Sequence, residues 1–191
     1  MKPRKPHFAR LLFPEIITTC PSGIAVTFDD GPSSDTLKIL ELLDQLQIKA
    51  TFFITGYKLT QYTNEYQTIL QHNHTIGNHS YYHASAFKVS HRFYLASARI
   101  NAHLTGSQLF RPPYGHLTPK IYKALKKDFK IVLWSYMTYD FAGNTIIHPG
   151  YLKNGTIIVM HDQKGLFPII KKQLHQIKSI VSDNNLHFTP L

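Results

Sequence analysis

Short apolar runs at residues 24–28, 50–54, 75–77, 108–110, 130–134 and 156–160 alternate with stretches of helical character, and this alternation constrains the fold more than any other feature of the chain. Such runs are too short for buried helices and lack a polar face, as expected of parallel strands covered on both sides. Between them, Asp35 is placed to cap a helix in which Leu37, Leu40, Leu43 and Leu46 form an apolar stripe. Thr118-Pro119 opens another, with proline at the first helical position and Lys120, Lys123, Lys126 and Lys127 outside. Further helices are expected near 63–72, 89–104 and 168–181. This order implies an α/β fold with a parallel sheet or barrel. With 191 residues and 43% hydrophobic content, the chain suffices for one domain with a sizeable core and is short for two. A single domain over 1–191 is therefore expected, with 1–22 as a basic N-terminal extension.

No stretch reaches the roughly 18 to 20 apolar residues of a membrane helix. Lys2, Arg4 and Lys5 precede an apolar stretch, but Arg10 interrupts it and Pro14 and Glu15 end it, which makes a poor signal peptide. Cys20 is the lone cysteine, so no internal disulfide framework is expected. A formal charge of +10 favours electrostatic contact with an anionic polymer such as a cell envelope, although solvated helix faces account for most of the lysines. The basic residues between Lys120 and Lys130 come with no nucleic-acid motif, and no nucleic-acid partner is expected.

Polar residues collect where the apolar runs stop. Thr27-Phe28-Asp29-Asp30-Gly31-Pro32 puts two adjacent carboxylates at a strand end. Aspartate before Gly-Pro is ordinary turn chemistry, yet two neighbouring acids repel each other and lose hydration unless a cation or an arginine stands opposite. His79-Ser80-Tyr81-Tyr82-His83 spaces two imidazoles at i and i+4, on one face if the segment is a helical turn, where both could reach one metal ion. Arg111-Pro112-Pro113-Tyr114-Gly115, Asp140 beyond Trp134, and His161-Asp162 follow later strands. Each has a bland explanation as turn, cap or surface ion pair. In a parallel barrel, however, all strand ends open on one face, where loops build the active site. Five such clusters would converge there.

These motifs, with Ala50-Thr51-Phe52-Phe53-Ile54-Thr55-Gly56 and the Val159-Met160-His161 ending, resemble in type and order those of the polysaccharide deacetylases, carbohydrate esterase family 4 or the NodB-homology domain. The resemblance spans residues from about Gly23 to the helix after His161. It implies an irregular (β/α) barrel of about seven parallel strands and metal-dependent removal of N-acetyl groups from N-acetylglucosamine-containing glycans such as peptidoglycan or chitin. It further implies that Asp30, His79 and His83 hold one divalent metal, zinc before cobalt, manganese or nickel. Asp29 corresponds to the general base, Arg111 to its charge partner and His161 to the general acid. The backbone N–H of Tyr114 corresponds to an oxyanion donor, with Pro113 and Trp134 beside the substrate.

One region departs from the family pattern. Met137 stands where a first aspartate is expected and Phe141 replaces a tryptophan, so the carboxylate thought to orient the catalytic histidine is missing from position 137, and Asp140 is the candidate to supply it. Loss of that carboxylate leaves a binding or inactive relative as one alternative, and a small-molecule amidase on the same fold is another. Tyr57, Tyr81, Tyr82 and Tyr139 are expected to be exposed for stacking on sugar rings, which favours a polymer or oligomer. Family members usually act outside the cytoplasm, so an extracytoplasmic or cell-surface location is the family expectation.

Overall fold

The computed structural model describes residues 12–191. Lys2, Arg4 and Lys5, and with them most of the stretch considered as a signal peptide, lie outside the described residues. Seven strands form one parallel sheet: β1 (Ile24–Asp29), β2 (Thr51–Ile54), β3 (Thr75–Asn78), β4 (Leu109–Phe110), β5 (Lys130–Ile131), β6 (Tyr136–Met137) and β7 (Thr156–His161). Their spatial order is β5-β4-β3-β2-β1-β7-β6, and the sheet curls into a half-barrel. The two longest strands, β1 and β7, pair side by side, in a register that sets Asp29 opposite His161. Side chains of β1, β2 and β7 are almost wholly buried, as the continuous apolar runs require.

Helices α1 (Thr36–Gln45), α2 (Thr63–Gln71), α3 (His91–Thr105), α4 (Pro119–Leu125) and α5 (Phe167–Asp183) cover the sheet. On α1 the buried stripe runs through Ile39, Leu40, Leu42 and Leu43, with Leu37 and Leu46 at its edges. Thr118 caps α4 by accepting from the Ile121 N–H, Pro119 takes its first turn, and Lys120 and Lys123 on the helix, with Lys126 and Lys127 just beyond it, are exposed. Asp35 precedes α1 but makes no cap on it. Its Oδ2 instead accepts the Gly165 and Phe167 N–H groups at 2.8 and 3.1 Å, joining α1 to the start of α5.

Two further features differ from expectation. Within the stretch read as an extension, Phe13, Ile16 and Cys20 are buried, and Ile17 bridges Val132. The described part of that segment, residues 12–22, packs against the body. The apolar run at 130–134 pairs as a strand only at Lys130–Ile131, with a single bridge at Val132, and the short strand β6 follows it. Two residues of Tyr-Met carry no periodicity, which is why β6 had no sequence signal.

Candidate active site

The strand ends gather the predicted clusters into one cleft of about 540 Å³. Asp29 ends β1, and Asp30 follows with φ of 72°, a left-handed conformation that turns the two carboxylates apart. Asp29 Oδ1 accepts from the Arg111 guanidinium at 2.7 Å. Arg111 is fully buried, lies 4.0 Å above the Phe53 ring, and also donates to Thr27 Oγ1 at 2.6 Å. Burial works against its charge, and Asp29 opposes that effect. Gly77 makes this stack possible, because a Cβ there would meet the Phe53 ring at 2.4 Å.

Asp30 faces the histidines. Its Oδ1 lies 2.9 Å from His83 Nε2 and 3.4 Å from His79 Nε2. Burial alone would raise its pKa, but hydrogen bonds and positive charge from the two imidazoles, when they are protonated in the metal-free site, hold it well below the usual carboxylate range. His79 to His83 is not a helical turn: Ser80 and His83 both have positive φ, of 67° and 51°, and the loop folds back to bring the rings together. Asn78 Oδ1 accepts the Ser80 N–H at 2.8 Å, and Ser97 Oγ on α3 meets Ser80 Oγ at 2.7 Å and accepts the Tyr81 and Tyr82 N–H groups. His79 Nδ1 pairs with the Arg111 carbonyl at 2.8 Å, which fixes its tautomer and leaves Nε2 bare toward Asp30.

The donor set fits a divalent cation. Among the described residues, Asp30, His79 and His83 are the group of acidic and imidazole side chains whose ligand atoms lie within 4.8 Å of one another. Asp30 Oδ1 is buried with no hydrogen-bond partner, an orphaned anion that a metal would satisfy. Two neutral nitrogens and one carboxylate oxygen suit zinc and its neighbours, and three protein ligands leave positions for water and substrate.

Across the cleft, His161 Nδ1 pairs with Asp140 Oδ1 at 2.8 Å, and the His161 N–H donates to Asp140 Oδ2 at 2.6 Å. The backing carboxylate therefore comes from Asp140, which is fully buried and accepts from Thr138 Oγ1 at 3.2 Å. Met137 lines the cleft, and Phe141 sets its edge against the His161 ring at 4.9 Å. Burial disfavours the imidazolium, but Asp140, with smaller pulls from Asp29 and Asp30, outweighs it and raises His161 to about 9.

Pro113 is buried, while Tyr114 beside it is 60% exposed with φ of 60°. Its N–H has no hydrogen-bond partner among the described residues. Tyr114 and Trp134 both line the cleft. Tyr57 and Tyr82 are exposed and Tyr81 half-buried, whereas Tyr139 is buried against Phe141 and offers no stacking face. Asp162 turns away from the cleft. Its oxygens accept from Ser33 and Thr36 hydroxyls at 2.6 Å each, and burial raises it to about 6 despite those bonds. Gln163, whose Nε2 donates to Asp30 Oδ2 at 2.6 Å, and Thr27 carried no recognisable motif role.

Fold and site together define a parallel α/β half-barrel whose strand ends hold a candidate single-metal centre flanked by an Arg-Asp pair and an Asp-His pair. The chain belongs to the polysaccharide deacetylase family, whose model matches residues 17–130. It is 36% identical over 155 residues to a peptidoglycan-N-acetylglucosamine deacetylase of Bacillus cereus, covering 74% of this chain and 56% of that protein. Chitin deacetylase 2 of Saccharomyces cerevisiae is 35% identical over 136 residues, 66% of this chain and 41% of that protein. The chain thus spans about half the length of these curated relatives. Among solved structures, the peptidoglycan N-acetylglucosamine deacetylase Bc1960, bound to 4-naphthalen-1-yl-N-oxidanyl-benzamide, superposes with a TM-score of 0.76 at 30% identity, covering 89% of each chain. The chitin deacetylase of Colletotrichum lindemuthianum shares the fold, with a TM-score of 0.77 at 20% identity over 92% of this chain and 88% of that one.

Proposed function

We propose that this protein hydrolyses the N-acetyl group of N-acetylglucosamine units in a peptidoglycan- or chitin-like glycan, with zinc as the resident metal. The observation that carries this reading is the placement of a salt-bridged carboxylate and a carboxylate-backed histidine on either side of the Asp30-His79-His83 cluster. The names of the relatives support the same substrate class.

The metal, when bound by Asp30, His79 and His83, supplies Lewis-acid polarisation of the acetyl carbonyl and lowers the pKa of the attacking water. Asp29 removes a proton from that water. The Arg111 contact at Oδ1 orients the carboxylate and leaves Oδ2, 3.9 Å from His79 Nε2, on the cluster side. The Tyr114 N–H, unpartnered among the described residues and on the cleft wall, donates to the developing oxyanion. His161 then gives its proton to the leaving nitrogen as the C–N bond breaks, releasing acetate and the amino sugar, while Asp140 stabilises the imidazolium beforehand. Trp134, Met137 and Val159 make an apolar wall for the acetyl methyl. Apart from the metal's ligands, exposed Tyr57 and Tyr82 offer flat faces for neighbouring sugar rings.

Acetate release from chitin oligomers, peptidoglycan fragments and acetylated xylan, with the metal identified in the same preparation, tests the proposal. Release is expected from one of the first two substrates. Release that persists undiminished in Asp29→Asn would overturn the assignment of the base.

A further inference from the structure

The Asp30 carboxylate is divided between two kinds of neighbour. Oδ1 faces His79 and His83 and is buried without a hydrogen-bond partner. Oδ2 accepts from Gln163 Nε2 at 2.6 Å. Gln163 is itself anchored: its N–H donates to the His161 carbonyl at 3.1 Å, and its own carbonyl accepts the Leu166 N–H at 3.2 Å. We propose that Gln163 is a positioning residue that reserves Oδ2, so that Asp30 presents Oδ1 alone to the cation. This rests on reading Asp30, His79 and His83 as the metal centre.

The chemistry follows from the amide. A carboxylate with both oxygens unclaimed can rotate or engage a cation through either one, which makes a loose ligand. The Nε2 end of Gln163 donates and cannot accept, so it fixes Oδ2 without competing for the cation, and its neutrality leaves the charge of Asp30 intact. A glutamate in its place would set a second anion against Oδ2 and remove the donor. The anchor also matters for the reaction, because Gln163 lies two residues beyond His161, just past the end of β7, and ties the acid side of the cleft to the metal side.

The test measures zinc affinity by competition with a chromophoric chelator, the visible absorption of the cobalt-loaded protein, and melting of the metal-free protein. For Gln163→Met, which keeps length and loses the donor, zinc should bind about 10- to 100-fold more weakly. The cobalt band should change in position and intensity, with the metal-free protein still melting in a single cooperative transition. Gln163→Ala should behave likewise and guards against misfolding of one variant. Zinc affinity within twofold of wild type together with a superimposable cobalt spectrum in either folded variant overturns the role of Gln163. Wild-type protein that takes up neither zinc nor cobalt overturns the metal centre itself, and the role with it.

Discussion

The pair Asp29-Asp30 shows how one left-handed residue resolves an electrostatic conflict. With φ of 72° at Asp30, the first carboxylate meets Arg111 and the second meets His79 and His83. Asp29→Asn should lower turnover by about 10²- to 10⁴-fold, the usual worth of a positioned general base. It also leaves the Arg111 charge buried without its counterion, so the variant should lose about 3 kcal/mol of stability, read from its urea midpoint. Metal uptake should survive, since Asp29 is not among the clustered ligands.

His161 gives the pH dependence. It must carry its proton to act as the acid, so activity should fall as pH rises through its pKa, which Asp140 and the neighbouring acids raise to about 9 in the metal-free site. A dication on Asp30 cancels part of that pull, placing the basic limb of the loaded enzyme below this value. Asp140→Asn removes the main support, so the basic limb should move toward acid by at least one pH unit while turnover falls. An unmoved limb with full turnover would show that Asp140 does not set the histidine. In the metal-free protein the same pairing contributes stability that is complete below about 6.5, the ordinary value, and is lost as pH rises through about 9.

At the scale of elements, the loops hold the site through bonds that sequence pattern does not announce. The Asp29, Asp30, His79, His83, Arg111 and His161 positions were legible because each motif ends an apolar run, and parallel strands deliver all such ends to one face. Gln163 and Thr27 were not, because a glutamine or threonine is informative only once a distant partner is known. The same holds for Asp35: its position before α1 reads as a cap, but the long-range approach of α5 makes the Gly165 and Phe167 N–H groups its partners. Asp35→Ala should therefore cost about 2 kcal/mol, more than a surface cap, because two N–H groups lose their acceptor. Equilibrium urea unfolding checks this, with a lower midpoint and an unchanged slope expected. A midpoint equal to wild type would mean that water replaces the carboxylate.

For the whole molecule, the candidate metal joins the end of β1 to the loop beyond β3, with β2 lying between those strands. A ligand that binds the folded chain alone stabilises it by mass action, about 2.7 kcal/mol at a hundredfold excess over its Kd. The central strands are already the most buried part of the sheet, so this gain should add to an existing fold instead of creating it. The half-barrel should accordingly remain folded after chelation, losing activity completely and melting several degrees lower, and recover both on returning zinc. In His79→Ala the metal-free melting temperature should fall, since the buried ring gives up its bond to the Arg111 carbonyl and its contacts with Asp30 and His83, and added zinc should no longer raise it. A zinc-induced rise of equal size in that variant would place the stabilising metal elsewhere, for the imidazole contributes one of the three clustered donors and its loss cannot leave that site intact.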